Sequence, residues 1–160
     1  MLQEVPLGGC GGDAEAFLKA ATTYANESCW GTLSCALFID PVTQRQHSQA
    51  FEEAVAGLRY GCITVNAPGT MGFGVTKLTW GAFPGHPPHD IQSGNCTVHN
   101  TLMFDHPQKS VLYVPWRYHP YPPWSSFNAN AENIFPAINS FFEAPSLLRL
   151  LRVVPRALVG

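Results

Sequence analysis

Two short apolar runs, each following an amphipathic helical pattern, constrain the fold most. Ala14 to about Ser28 is alanine-rich, with Phe17, Ala20, Ala21 and Tyr24 on one stripe, and Asp13 stands ready as its N-cap. Leu33-Ser34-Cys35-Ala36-Leu37-Phe38-Ile39 follows as a buried strand, which Asp40-Pro41 ends. A second helix is expected from about Ser48 to Leu58, with Phe51, Val55 and Leu58 facing inward and Glu52-Glu53 facing water. Cys62-Ile63-Thr64-Val65-Asn66 is β-branched and reads as the next strand. Helix, strand, helix, strand is the order of a parallel sheet covered by helices, because parallel strands need crossover connections.

The rest of the chain is less regular. Ala67 to about Gly94 is rich in glycine and proline and carries Trp80, Phe83, His86 and His89, so a long functional loop is expected. Asn95 to Phe104 reads as one short helix, and Ser110-Val111-Leu112-Tyr113-Val114 as a strand. Pro115 to Trp124 is too proline-rich for a central element. Its aromatics Trp116, Tyr118, Tyr121 and Trp124 read as a cover for the end of the sheet. Asn130 to Glu143 is helical, with Pro136 near its first turns, and Pro145 opens a final helical turn or two. The expected class is α/β: a partial three-layer α/β/α arrangement with a mostly parallel sheet, plus a C-terminal helical segment. Residues 1–114 form the main body, and 115–160 add a Pro/aromatic loop and helices packed on it.

Composition narrows the function. Charged residues make up only 12% of the 160, against the usual quarter, and the hydrophobic share is 46%. That combination argues against a disordered chain and for surface meant to be covered by polypeptide. With 9 basic and 11 acidic residues the net charge is −2, which offers no basic patch for nucleic acid. No apolar run is long enough for a membrane span, and the N-terminus lacks the pattern of a signal peptide. Five scattered cysteines fit reduced thiols and a cytoplasmic location.

Chemistry-bearing motifs are few. Gly69-Thr70-Met71-Gly72-Phe73-Gly74 reverses the order of a dinucleotide fingerprint. His86-Pro87-Pro88-His89-Asp90, with Cys96 and His99, supplies zinc-binding residue types, but the prolines hold the two histidines in extended geometry and no metal site is expected. Cys35 and Cys62 lie on buried strands; Cys96 near His99 is the one thiol with a base in reach along the sequence. Trp80 and Phe83 are placed to line an apolar pocket.

Three segments, in order, resemble the aldehyde dehydrogenase superfamily. Ala25-Asn26-Glu27 followed by Trp30-Gly31-Thr32-Leu33-Ser34-Cys35-Ala36-Leu37-Phe38 resembles its "A-N … Y-G-L-x-x-x-V-F" segment. Leu58-Arg59-Tyr60-Gly61-Cys62-Ile63-Thr64-Val65-Asn66 is similar to its "L-x-x-G-x-V-x-V-N" strand, and Trp80-Gly81-Ala82-Phe83 with Ser93-Gly94-Asn95 to its "P-F-G-G-x-x-x-S-G-x-G" stretch. The resemblance covers residues 14–114, with a longer loop than usual between the parts of the third segment. It implies the C-terminal part of a catalytic domain that oxidises aldehydes with NAD or NADP through a cysteine thiohemiacetal, with a glutamate as base.

None of the five cysteines has the family's "G-Q-x-C" context, and the base and cofactor-holding glutamates belong upstream. The resemblance therefore assigns this chain no catalytic, cofactor or metal residue, and NAD or NADP would be held by the complete enzyme only. What carries over is a substrate-tunnel wall of Trp80, Phe73, Met71 and Phe83. The implied partners are the upstream half of the enzyme or a second copy of the chain, and a small aldehyde. A self-associating binding module and a small metalloprotein using His86, His89 and Cys96 are the competing readings.

Overall fold

The computed structural model describes residues 3–117, 121 and 128–158. It is an α/β structure with a parallel three-stranded sheet and a C-terminal helical segment. It divides into two compact units, residues 1–116 and 117–160.

In the first unit, α1 spans Ala14–Glu27, and the Asp13 carboxylate accepts the free backbone N–H groups of Glu15 and Ala16 at its start. Strand β1 (Ser34–Leu37) leads to a short helix α2 (Pro41–Gln46), capped by Asp40, and then to α3 (Ser48–Gly57). Strand β2 (Cys62–Val65) is the centre of the sheet, parallel to β1 on one side and to β5 (Ser110–Tyr113) on the other. All four β2 residues are buried, which is why the run is apolar or β-branched throughout rather than alternating. Beneath it lies a core of Leu18, Ile39, Phe51, Ala54, Val55, Leu58, Tyr60, Ile63 and Val65. Each large side chain fully buried there contributes about 1.5–3 kcal/mol of hydrophobic stabilisation.

Between β2 and β5 the long loop is not structureless. It contains a short 3-10 helix, Gly69–Gly74, and a small antiparallel ladder of β3 (Trp80–Gly81) with β4 (Thr97–His99). Lys109, just before β5, donates its ammonium protons to the carbonyls of Val55, Ala56 and Leu58 at 2.8, 2.6 and 3.0 Å. It thereby satisfies the carbonyls left open at the end of α3, where the helix dipole favours a cation.

Five expectations are corrected. Residues 95–104 hold strand β4, not a helix, because Trp80 and Gly81 offer their backbone as a ladder partner. Asp40-Pro41 does more than stop β1: an N-cap followed by proline at the first helical position starts α2. Strand β1 is half-buried rather than buried, since it is the sheet's edge. The stripe on α1 is also rotated. Leu18 is the buried residue and Phe17 is exposed, because the C-terminal end of α1 is pinned to the α3–β2 turn. There, Asn26 donates to the Gly57 carbonyl (2.9 Å) and accepts from the Arg59 N–H (2.8 Å), while the Tyr60 hydroxyl donates to the Ala25 carbonyl (2.9 Å). Last, the C-terminal helix runs three turns rather than one or two.

In the second unit, α4 (Ala131–Glu143) and α5 (Leu147–Leu158) form a hairpin. Asn130, at the start of α4, donates to the Arg156 carbonyl near the end of α5 (2.8 Å), and the Arg149 guanidinium donates to the Ser140 carbonyl. The helices are therefore antiparallel. Of the proline-rich aromatics, Trp116 and Tyr121 are exposed, and Tyr118 and Trp124 lie outside the described residues.

Candidate functional site

The three segments picked out in the sequence meet at one residue, Thr32, between α1 and β1. Its carbonyl accepts the N–H of Gly61 (2.9 Å) and that of Phe83 (3.1 Å). Its own N–H donates to Ser93 Oγ (2.8 Å), and its hydroxyl lies 2.6 Å from His86 Nε2. Beside it, Gly31 donates to Gln92 Oε1 (3.2 Å). Gly31 has φ +93°, and a Cβ there would sit 2.8 Å from Ser93 Oγ, so both the turn and the close approach call for glycine. Gly61 is tighter still: a Cβ would fall 1.9 Å from the Gly81 carbonyl oxygen. At the far end of β2, Asn66 Oδ1 accepts the Ile39 N–H (2.8 Å) with Asn66 at φ 61°, in the left-handed region that asparagine tolerates.

Around this junction lies a cleft of about 590 Å³, walled by Asn26, Cys29, Trp30, Arg59, Phe83, His86 and Gln92 among others. All but Cys29, which lies between the two parts of the first, belong to a resembling segment or to the loop inside the third. Arg59 is held against Glu27 at 2.5 Å. The cleft thus offers two aromatic rings, an imidazole and a neutralised ion pair: a surface for a largely uncharged group.

The four tunnel-wall candidates do not share one surface. Trp80 is buried at 7% exposure, its ring 5.6 Å from that of Phe73 and edge-on to it. Gly72 makes room for it; a Cβ there would lie 3.3 Å from the indole and 2.3 Å from Cys62 Sγ. Phe73, at 56% exposure, presents its outer face to solvent and its other contact to His99, 5.6 Å away. Met71, two residues earlier in the 3-10 helix, is half-buried. Phe83 lines the cleft by Thr32 instead. Sequence reasoning named these aromatics but missed Thr32, whose bonds reach residues 29 to 61 positions away. The one local signal was the glycine beside it.

Two of the five thiols point away from nucleophilic chemistry. Burial pushes the Cys35 thiol up, with Cys29 nearby adding to the shift, and burial alone pushes up that of Cys62. Such thiols stay protonated at neutral pH and pack as small apolar groups. Among the described residues, no group of three or more His, Cys, Asp or Glu side chains comes together to hold a metal ion. His86, the first histidine of the metalloprotein reading, is engaged by Thr32. No helix among the described residues is long and apolar enough to cross a membrane.

Comparison with family models, curated proteins and solved structures gives no match.

Proposed function

We propose that this chain is the C-terminal part of an aldehyde-dehydrogenase-like oxidoreductase. In this reading it supplies substrate-tunnel wall and subunit contacts, while the catalytic cysteine, the general-base glutamate and the NAD or NADP site belong to an upstream half. The observation that carries the reading is the convergence on Thr32. Three segments chosen for a family resemblance, and separated by up to 61 residues, are tied to one threonine by backbone and side-chain hydrogen bonds. The Gly61 bond continues the parallel β1–β2 ladder, and the bonds to Phe83 and Ser93 bring the third segment to the same end of the sheet.

Phe73 and Met71 are the residues best exposed to an aldehyde's apolar tail, with Trp80 supporting Phe73 from beneath and Phe83 facing the Thr32 cleft. A dry aromatic wall suits the chemistry, because a thioester intermediate must be kept from premature water. The reading implies a cytoplasmic enzyme whose other half or a second copy covers the low-charge surface. It also implies that the chain alone turns nothing over.

The test is a chimera in which residues 14–114 replace the corresponding segment of an active NAD-dependent aldehyde dehydrogenase. The expected result is NAD-dependent aldehyde oxidation by the chimera and none by the isolated chain. A folded chimera without activity, or an isolated chain that oxidises aldehydes unaided, overturns the proposal. Reading the coding sequence ahead of Met1 for an in-frame "G-Q-x-C" gives an independent check. A self-associating binding module is the second reading, favoured by apolar surface such as the groove of about 560 Å³ that Phe17, Phe38 and Trp116 help to line.

A further inference from the structure

Three of the chain's nine basic residues stand on one helix, α5, as Arg149, Arg152 and Arg156. They line a groove of about 310 Å³ that lies wholly within the second unit, and α4 supplies the other wall with Glu132, Asn133 and Ser140 among others. Spacings of three and four residues make Arg152 a neighbour of both other arginines on the helix surface. Like charges placed so repel one another and oppose the helix until something compensates them.

No carboxylate does so. Among the described residues the ion pairs are His47–Glu15 and Arg59–Glu27, both in the first unit. Arg149 donates to the Ser140 carbonyl and Arg156 to the Arg152 carbonyl, but a carbonyl is neutral and takes up only part of a guanidinium's donors. The Arg152 side chain is exposed and makes no hydrogen bond to a described residue. Three guanidiniums against the one carboxylate of the groove, Glu132, leave two positive charges in excess. We infer that this groove is a binding site for a phosphate monoester dianion, held by Arg149, Arg152 and Arg156.

Charge and donor type select that ligand. A phosphate monoester carries close to two negative charges at neutral pH and offers three acceptor oxygens. Guanidinium forks match such oxygens two at a time, which an ammonium does not. A carboxylate or a phosphodiester brings a single charge and leaves the groove still positive. The rest of the ester is open: a soluble phosphorylated compound and the head group of phosphatidic acid present the same dianion. The inference does not rest on the dehydrogenase reading, since the groove lies outside residues 14–114.

Calorimetric titration of the full chain with glycerol 3-phosphate near neutral pH tests it, with ionic strength held constant by sodium chloride. Binding is expected, and dimethyl phosphate, a diester, is expected to bind about tenfold more weakly or worse. Arg152→Gln is expected to weaken glycerol 3-phosphate binding by about tenfold, because a charge-assisted contact is lost. Glu132→Gln is expected to tighten it by about threefold, because the carboxylate no longer opposes the anion. That gain is one a loss of fold cannot imitate, and circular dichroism checks the helices of each variant. Arg45→Gln, an exposed position on α2, is expected to change nothing. No binding, equal binding of the diester, unchanged affinity in Arg152→Gln or Glu132→Gln, or an equal loss in Arg45→Gln overturns the inference. Flotation with phosphatidic acid vesicles separates the two sources. Capture that Arg152→Gln abolishes places the dianion on a lipid, and binding of glycerol 3-phosphate without capture places it on a soluble ester.

Discussion

Strand β2 and helix α5 are both rich in aliphatic residues, yet the protein treats them oppositely. In β2 the chain encloses each side chain, so that Cys62, Ile63, Thr64 and Val65 are all buried. In α5 most of the aliphatic residues are exposed, Leu147, Leu148 and Leu151 among them, while Arg149, Val153 and Ala157 are half-buried. The difference lies in what each has to pair with. Strand β2 has backbone ladders on both sides and a helical layer to fill its face. The neighbour of α5 is one helix, α4, whose facing side mixes Glu132, Asn133 and the Ser140 carbonyl with Pro136 and Ala137. A single neighbouring helix covers one narrow face of α5, whereas ladders on both edges and a helical layer cover β2 completely.

The sharpest way to break this comparison is to shorten one aliphatic residue in each element. Ile63→Ala removes a fully buried side chain from the centre of the sheet and is expected to cost about 2–5 kcal/mol. Leu151→Ala, at an exposed position, is expected to cost under about 0.5 kcal/mol. Urea unfolding of both variants reads the contrast. Comparable losses would mean that Leu151 is enclosed in solution.

A smaller effect separates the two regions by pH. Burial, with Cys29 and Cys35 nearby, pushes the Tyr60 hydroxyl up to about 12, and that hydroxyl donates to the Ala25 carbonyl. An unfolded tyrosine loses its proton near 10. The folded state thus holds the proton more tightly, so this contribution is whole below about pH 10 and disappears as pH rises toward 12. Tyr60→Phe should cost about 1 kcal/mol at neutral pH and flatten the stability loss of the first unit between those values. An unchanged slope in the variant would show that another group sets it.

An effect of similar size is expected at the junction itself. Thr32→Val keeps the two carbonyl bonds and the N–H bond, all made by backbone, and removes only the hydroxyl next to His86. A loss of about 1 kcal/mol is expected, with the cleft unaltered. A much larger loss would show that the side chain, rather than the backbone, holds the three segments together.

Much of the first unit was legible because its signals are local. Asp13 caps the helix that follows it, Phe51 and Val55 lie on one face of α3 with Leu58 buried just past its end, and Cys62–Val65 is apolar or β-branched because the strand is buried throughout. What failed was set at a distance. Residues 97–99 become a strand only because Trp80 and Gly81 lie alongside, and no propensity within the segment says so. Leu18 rather than Phe17 turns inward because Asn26 and Tyr60 fix the rotation of α1 from its far end. Of the candidate site, the aromatic residues could be named, since bulk and polarity are properties of a residue. Their separation into a buried Trp80, an exposed Phe73 and a Phe83 in another cleft belongs to the tertiary arrangement.

The Lys109 contact has a practical corollary. Of the three lysines in the chain, Lys19 and Lys77 are exposed, whereas every proton on the Lys109 ammonium is committed to a carbonyl at the end of α3. An amine-selective acylating reagent should label the first two at once and reach the third only when the end of that helix opens. The protein carries a built-in gauge of its own native state, readable by peptide mass.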